Sequence, residues 1–378
     1  MPEKVFFVPA RFDDPPEVWS AKIKALYDEA GLTRTIAKND LVAIKMHFGE
    51  RGGACHLQPK HIRPLVECVK ESGGKPFLTD TATLYAGSRS NAVDHLLLAH
   101  EHGFTIEATG APVIMSDGLF GSEEIEVPIN GRRAQKVALA ADIVRVQACL
   151  VATHVTGHCQ TGLGGLIKNM AMGCASRKGK LHQHSLAKPR IAPAECVGCG
   201  QCAAWCPVGA IAPSRRNSAM TIDEKRCIGC GECLTLCRNA AVKFDWKVGS
   251  AEMQRRMAEQ AAALYHRKGG KMAYVSFLVN ISKDCDCIGH PSSVKVPDIG
   301  VLAGLEPLAI EQATLDLVRE HSGQGLCERY WPRIDPMIAL KHAEKMGMGS
   351  PAYVITTVQV GRRPRVQSRP AHPNRPSG

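Results

Sequence analysis

Two stretches constrain this chain more than any others. One is CVGCGQCAAWCP, which places Cys196, Cys199, Cys202 and Cys206 ahead of Pro207. The other is CIGCGECLTLC, with Cys227, Cys230, Cys233 and Cys237. Both read C-x2-C-x2-C-x3-C, the spacing that holds paired 4Fe–4S clusters. Three cysteines on a tight loop reach three irons of one cube. The fourth leads into a helix and points to the other cube. The spacing therefore assigns Cys196, Cys199, Cys202 and Cys237 to one cluster, and Cys227, Cys230, Cys233 and Cys206 to the second. Gly198, Gly200, Gly229 and Gly231 let the backbone pass close to the sulfurs and donate N–H bonds, which tune the potential. The copies differ after the fourth cysteine, where Pro207 is replaced by Arg238. A cation there favours the reduced cluster. Zinc is the competing reading, but zinc sites use pairs of C-x2-C rather than two sets of four.

The segment 189–246 resembles a bacterial-type ferredoxin along its length. Its surroundings are different. Residues 1–188 alternate strand and helix signals: strands at 4–8, 41–48, 76–80, 112–118 and 149–155, and helices at 17–32, 59–74 and 91–103. EIEVPINGRRAQKVAL reads as a hairpin turning on Asn130-Gly131. The pattern resumes after the cysteines, in 247–360. Helices are expected at 251–268, 307–321 and 335–346, with strands at 272–280, 298–304 and 352–360. Strands alternating with helices of this length imply βαβ units. The fold class is thus α/β, a largely parallel sheet flanked by helices and interrupted by a small α+β ferredoxin-type insert. Residues 361–378 read as a disordered basic tail.

Sixteen cysteines in a long chain with no secretory signal point to metal or catalysis rather than a disulfide framework. The N-terminus has only a short apolar stretch, and no apolar run is long enough to span a bilayer. The expected compartment is the cytoplasm. The net charge of +11 owes five arginines to the tail (362, 363, 365, 369 and 375), and aromatics make up only 5% of the chain. Little stacking surface remains for single strands, which argues against nucleic acid as a partner.

Ligands of open parallel sheets sit beyond the carboxyl ends of the strands. Polar residues gather after five of the expected strands. They are His47, Glu50, Arg51, Cys55 and His56; Asp80, Thr81 and Thr83; Asp117; His154, His158 and Cys159, then Lys168, Asn169 and Cys174; and Asn280, Asp284, Cys285 and Cys287. Cys285 and Cys287, two apart in an extended segment, project to one side. They are candidate ligands of a further metal or cluster iron, or buried structural thiols. His154 and His158 are candidate ligands or acid–base groups, or hydrogen-bonded surface residues. Asp80 reads equally as a ligand, a base or a cap. Lys168 stands at a helix start suited to an anion, although GLGG before it is neither a dinucleotide fingerprint nor a P-loop. Cys55, Cys159 and Cys174 are candidate extra ligands. Cys68, Cys149 and Cys327 read as packing.

The stretches TDTATLYAGSRSNAVDHL, HVTGHCQTGLGGLIKNMAMGCASRKGKLHQH, NISKDCDC and VPDIGVLAG resemble the family called domain of unknown function 362, in its version with an inserted ferredoxin. The resemblance spans residues 40 to 345. It implies an α/β fold interrupted by a ferredoxin-type module, and no reaction. The expected function is an iron–sulfur oxidoreductase. A redox partner protein or electron carrier feeds two 4Fe–4S clusters. These relay electrons to a site lined by Cys285, Cys287, His154, His158, Lys168 and Asp80, which takes a third metal or cluster or a small anionic substrate. The alternative is a non-catalytic electron-transfer subunit or metallocofactor assembly factor.

Overall fold

The computed structural model describes residues 2–85, 87–184, 188–214, 218–244, 249–290 and 292–361. The expected basic tail, from residue 362 on, lies outside them. Seven strands form the central sheet: β1 (Glu3–Pro9), β2 (Leu41–Lys45), β3 (Lys75–Thr79), β4 (Ala148–His154), β5 (Met272–Leu278), β6 (Gly300–Gly304) and β7 (Tyr353–Thr357). Their spatial order is β7-β1-β6-β5-β4-β2-β3. All neighbours run parallel except β6, which is antiparallel to both β1 and β5. The sheet is thus largely parallel, as the alternation of elements implies.

Side chains alternate across it with the period of a strand. Cys149 and Val151 of β4 and Tyr274 of β5 enter one core; Leu150, Ala152, Val275 and Phe277 enter the other. Helices Ser250–Lys268 and Pro307–Ser322 cover the first face, and Pro16–Glu29 and Pro59–Glu71 the second. Burial on both faces explains why β4 and β5 read as continuous apolar runs. Trp19, Ile23 and Leu26 are fully buried on the second face. Each contributes about 1.5–3 kcal/mol over exposure.

The antiparallel β6 has a consequence for function. Its first residue lies at the same edge of the sheet as the last residue of β5. The connection 279–299, which carries Cys285 and Cys287, therefore starts and ends at the carboxyl edge. A loop this long inside a packed domain is usually functional.

Two expectations need correction. Residues 112–118 make only an isolated bridge, Val113 to Leu78. Pro112 offers no N–H, and the Ser116-Asp117-Gly118 turn, with Gly118 at φ +72°, ends the extension. The hairpin exists, Glu124–Pro128 against Lys136–Ala140, but it does not turn on two residues. Its loop runs through 129–135, because the buried Glu259 carboxylate accepts the N–H groups of Arg133 (3.1 Å) and Ala134 (3.2 Å) and draws the loop onto helix Ser250–Lys268.

The cysteine-rich segment forms two small antiparallel ribbons, Arg190–Ile191 with Val242–Lys243 and Ile211–Pro213 with Met220–Ile222. Two short helices accompany them, Gln201–Ala204 and Glu232–Leu236. The first ribbon joins the start of the segment to its end, which explains how it can interrupt a sheet domain without separating its halves. No helix among the described residues is long and apolar enough to cross a membrane.

Candidate functional site

In the insert, two small cavities are each ringed by four cysteines. Cys196, Cys199, Cys202 and Cys237 line one; Cys206, Cys227, Cys230 and Cys233 line the other. The grouping exchanges the fourth cysteine between the copies. Backbone N–H groups already point at three of the sulfurs: Met220 to Cys196 (3.3 Å), Ala210 to Cys206 (3.2 Å) and Ala241 to Cys237 (3.1 Å). Gly198 and Gly229 share φ +69°, and Gly200 and Gly231 follow at +73° and +79°. The two loops therefore repeat one left-handed conformation that only glycine adopts without strain.

The second site lies at the sheet edge, where β2, β3, β4 and β5 end around a cavity of about 590 Å³. β2 and its extension supply Lys45 and His47, β3 leads to Asp80, and β4 ends in Thr153 and His154. The β5–β6 loop supplies Cys285, Asp286 and Cys287. A ribbon, Thr156–His158 with Gly162–Gly164, and the helix Leu166–Ala171 add His158 and Lys168. All six residues expected at this site, Asp80, His154, His158, Lys168, Cys285 and Cys287, line the one cavity.

Cys285 and Cys287 do not lie in an extended segment. The Ile288 N–H bonds to the Cys285 carbonyl at 2.9 Å and closes a turn over Asp286. Each of the three residues has its own partner. Lys168 Nζ donates to Cys285 Sγ (3.2 Å), His154 Nδ1 to Asp286 Oδ2 (2.8 Å), and the Tyr85 hydroxyl to the Cys287 carbonyl (3.1 Å). The turn rests on the loop after β2: a Cβ at Gly52 would stand 2.8 Å from the Gly289 carbonyl oxygen. Only bare backbone packs this closely. The Cys287 N–H donates to Cys285 Sγ at 3.5 Å, and hydrogen bonding from the Cys287 side chain pulls the Cys285 thiol down to about 5; burial opposes this and Lys168 assists it. The same side-chain bond, with burial, pushes the Cys287 thiol well above its ordinary value, so it keeps its proton.

Both ring nitrogens of His154 face acceptors, Asp286 Oδ2 and the Val279 carbonyl (2.9 Å). Burial works against a charged ring, but Asp286 outweighs it and the pKa is raised. His154 thus anchors Asp286. His158 differs: its Nδ1 accepts the N–H groups of Gln160 and Thr161, both at 3.2 Å. Burial, then Lys168, hold it neutral, so Nε2 carries the proton.

Asp80 sits beside Lys45 Nζ (2.9 Å), Arg89 Nη1 (3.8 Å) and His95 Nε2 (3.7 Å). Burial disfavours its charge, yet its neighbours, the Lys45 ammonium first, keep it ionised well below the usual carboxylate range. Its Oδ2 accepts no hydrogen bond among the described residues. Arg89 continues the tract to Glu50 (3.0 Å) and to the Tyr85 hydroxyl (2.5 Å), and so to Cys287. Lys168 stands in the first turn of its helix, but the helix N-terminus is taken. Glu311 Oε2 accepts the Leu166 N–H at 2.7 Å. Burial pushes that carboxyl up to about 7.

Other candidates fall elsewhere. Cys159 lines the cavity, and Cys55 lies against a smaller one behind the Cys285 turn, its thiol directed at the Ser292 carbonyl. Cys68, Cys149 and Cys174 are in the apolar cores, and Cys327 is buried. Asp117 is buried and accepts the Ala82 N–H at 2.8 Å. Sequence reasoning missed Lys45, Tyr85, Arg89, Lys180 and Asp286. Lys45 had a signal: a lysine inside the apolar run LVAIKM, here 1% exposed, needs a buried partner.

Insert and cavity adjoin. Leu234, next to Cys233, packs with Leu84, Leu181 and Phe244, and Leu84 lines the cavity. A Cβ at Gly231 would stand 3.2 Å from Arg177 Cγ, and Trp205 stacks obliquely on Phe120 with ring centroids 5.6 Å apart.

A two-faced α/β sheet with a charged cavity at its carboxyl edge and an embedded cysteine module defines the class. The chain belongs to the family described as Domain of unknown function (DUF362), whose model matches residues 42–316. None of the curated proteins matches it. Among solved structures it is similar to the lactate racemase apoprotein from Thermoanaerobacterium thermosaccharolyticum, at 9% identity and a TM-score of 0.35, covering 73% of this chain and 50% of that one. It is also similar to a Thermotoga maritima protein, at 7% identity and a TM-score of 0.42, covering 84% and 60%. The chain spans half or somewhat more of the length of these two proteins.

Proposed function

We propose that this protein is an iron–sulfur oxidoreductase. The insert holds two 4Fe–4S clusters that take single electrons from a redox partner protein or carrier. The strand-end cavity is where those electrons reach a small anionic substrate. The observation that carries the reading is the contact between the second four-cysteine set and the cavity wall, through Leu234 and Leu84.

The donor sets fit the cofactor. A single ion needs its donors about 2.0–2.3 Å from one point. Among the described residues no three His, Cys, Asp or Glu side chains are so arranged. Four sulfurs spread around a cavity, with N–H donors on them, instead suit the corners of a cube. Bound clusters supply one-electron transfer. The same geometric test favours a small anion over a further metal in the strand-end cavity. Lys45, Arg89, Lys168, Lys180 and His154 line it, against Asp80, Asp286 and the Cys285 sulfur. His158 Nε2–H adds a neutral donor. A docking subunit or assembly factor calls for an exposed apolar patch at the strand ends; charged groups stand there instead.

The test is reoxidation of the dithionite-reduced, iron-loaded chain by a panel of small anionic oxidants under nitrogen. At least one oxidant should drain the chain rapidly, and Lys168→Met should slow it at least tenfold with iron content unchanged. Equal rates in both proteins for every oxidant would remove the cavity as the destination.

A further inference from the structure

Iron–sulfur clusters pass electrons one at a time, whereas a disulfide is a two-electron couple. The β5–β6 loop offers such a couple at the place where the proposed electron path ends. We infer that Cys285 and Cys287 form a dithiol–disulfide pair that collects two single electrons from the insert and holds them beside the cavity. The inference rests on the electron-transfer reading above and names the group that receives the electrons.

Geometry carries it. The two cysteines stand two residues apart in one turn, closed by the Ile288 N–H on the Cys285 carbonyl at 2.9 Å, and a disulfide needs Cα atoms about 4.4–6.8 Å apart. The Cys287 N–H already donates to Cys285 Sγ at 3.5 Å, and both cysteines line the cavity. Lys168, His154 and Tyr85 clamp the three residues of the turn from three different elements. Structural packing would not require an ammonium on a sulfur. Cys68, Cys149 and Cys174, which do pack in apolar cores, have none within hydrogen-bonding distance among the described contacts. Among the described residues, metal ligation by the pair lacks a third donor.

The step balances. The Sγ–Sγ bond breaks as it accepts two electrons, delivered singly by iron–sulfur donors, and one proton from solvent. The products are the Cys285 thiolate, paired with the Lys168 ammonium, and the Cys287 thiol, hydrogen-bonded to that thiolate. Oxidation by an anionic two-electron acceptor in the cavity runs the step in reverse. The bond re-forms, and the electron pair and the proton leave for the acceptor.

Trypsin cuts after Lys283 and Lys295, so the peptide Asp284–Lys295 contains these two cysteines alone. The experiment poises the iron-loaded full chain at stepped potentials, quenches it with an alkylating reagent and weighs that peptide. At the oxidising end it should be unlabelled and lighter by two hydrogens. At the reducing end it should carry two labels, with the slope of a two-electron couple between. Lys168→Gln should move the transition to more negative potential, because the ammonium stabilises the reduced form, and Lys168→Arg should move it back. Both thiols labelled at every potential, in protein whose iron, sulfide and EPR signals show both clusters, would end this inference and leave electron transfer standing. Protein that binds no clusters under reconstitution would overturn both.

Discussion

The insert and the strand-end cavity are built by opposite means. The insert draws its eight sulfurs from 42 consecutive positions, Cys196 to Cys237, and has almost no core of its own. Among the described residues, the buried cluster it builds for itself is Cys202, Ile211, Met220, Cys233 and Val242, and two of these five are candidate ligands. The cavity draws its groups from four strand ends and rests on two extensive cores. On the proposed reading, one site depends on the clusters it would hold, and the other is preformed by its scaffold. Modules with so little apolar burial need a metal or another staple to fold.

The largest expected effect follows from that difference. Stripping iron by chelation, or changing both Cys202 and Cys233 to Ser, should abolish amide protection across 189–244 while β1 to β6 keep theirs. Hydrogen exchange read by mass spectrometry decides it, and a protected insert without iron would erase the contrast.

On the preformed side, Asp80→Asn leaves Lys45 buried without its counter-ion, while Arg89 keeps Glu50. Breaking a buried pair from one side costs about 3–5 kcal/mol. A loss below about 1 kcal/mol in urea titration would show that the tract through Arg89 to Tyr85 does not hold the cavity together.

Glu311 gives the scaffold a pH dependence with a definite sign. Its folded pKa, about 7, lies above the ordinary 4.5. The protonated form is therefore the one the fold prefers. Its contribution is fully present below pH 4.5 and is lost as pH rises through 7. Glu311→Gln should flatten the stability profile across that window, gaining roughly 3 kcal/mol relative to wild type at pH 8. An unchanged slope between pH 4.5 and 7 would exclude Glu311 as its source.

The smallest effect belongs to the insert's turns. Gly229 has φ +69° and no atom within 4 Å of an added Cβ, so Gly229→Ala isolates backbone strain. It should cost the iron-loaded insert about 1–2 kcal/mol and leave the sheet domain's melting unchanged.

The same contrast explains what was legible in the sequence. The insert's grouping of cysteines around two cavities could be read because loop spacing alone dictates it. The sheet could be read because strands buried on both faces are apolar runs, and the carboxyl-edge rule then located Asp80, His154, His158, Lys168, Cys285 and Cys287. Their partners could not be read. Tyr85 bonds to a residue 202 positions away, His154 to one 132 away, and Lys168 to one 117 away. No local pattern records such distances. Asp286 looked like a spacer between two cysteines, yet it is the residue His154 holds. Residues 112–118 look like a strand in composition, and only the bridge to Leu78 shows where pairing stops.

The measurement that bears most directly on this account is anaerobic iron and acid-labile sulfide analysis of the full chain, with low-temperature EPR of the reduced protein. Two four-iron clusters predict about eight iron and eight sulfide per chain and the signals of two reduced centres. Zinc in place of iron, with no sulfide and no EPR signal after anaerobic reconstitution, would contradict it.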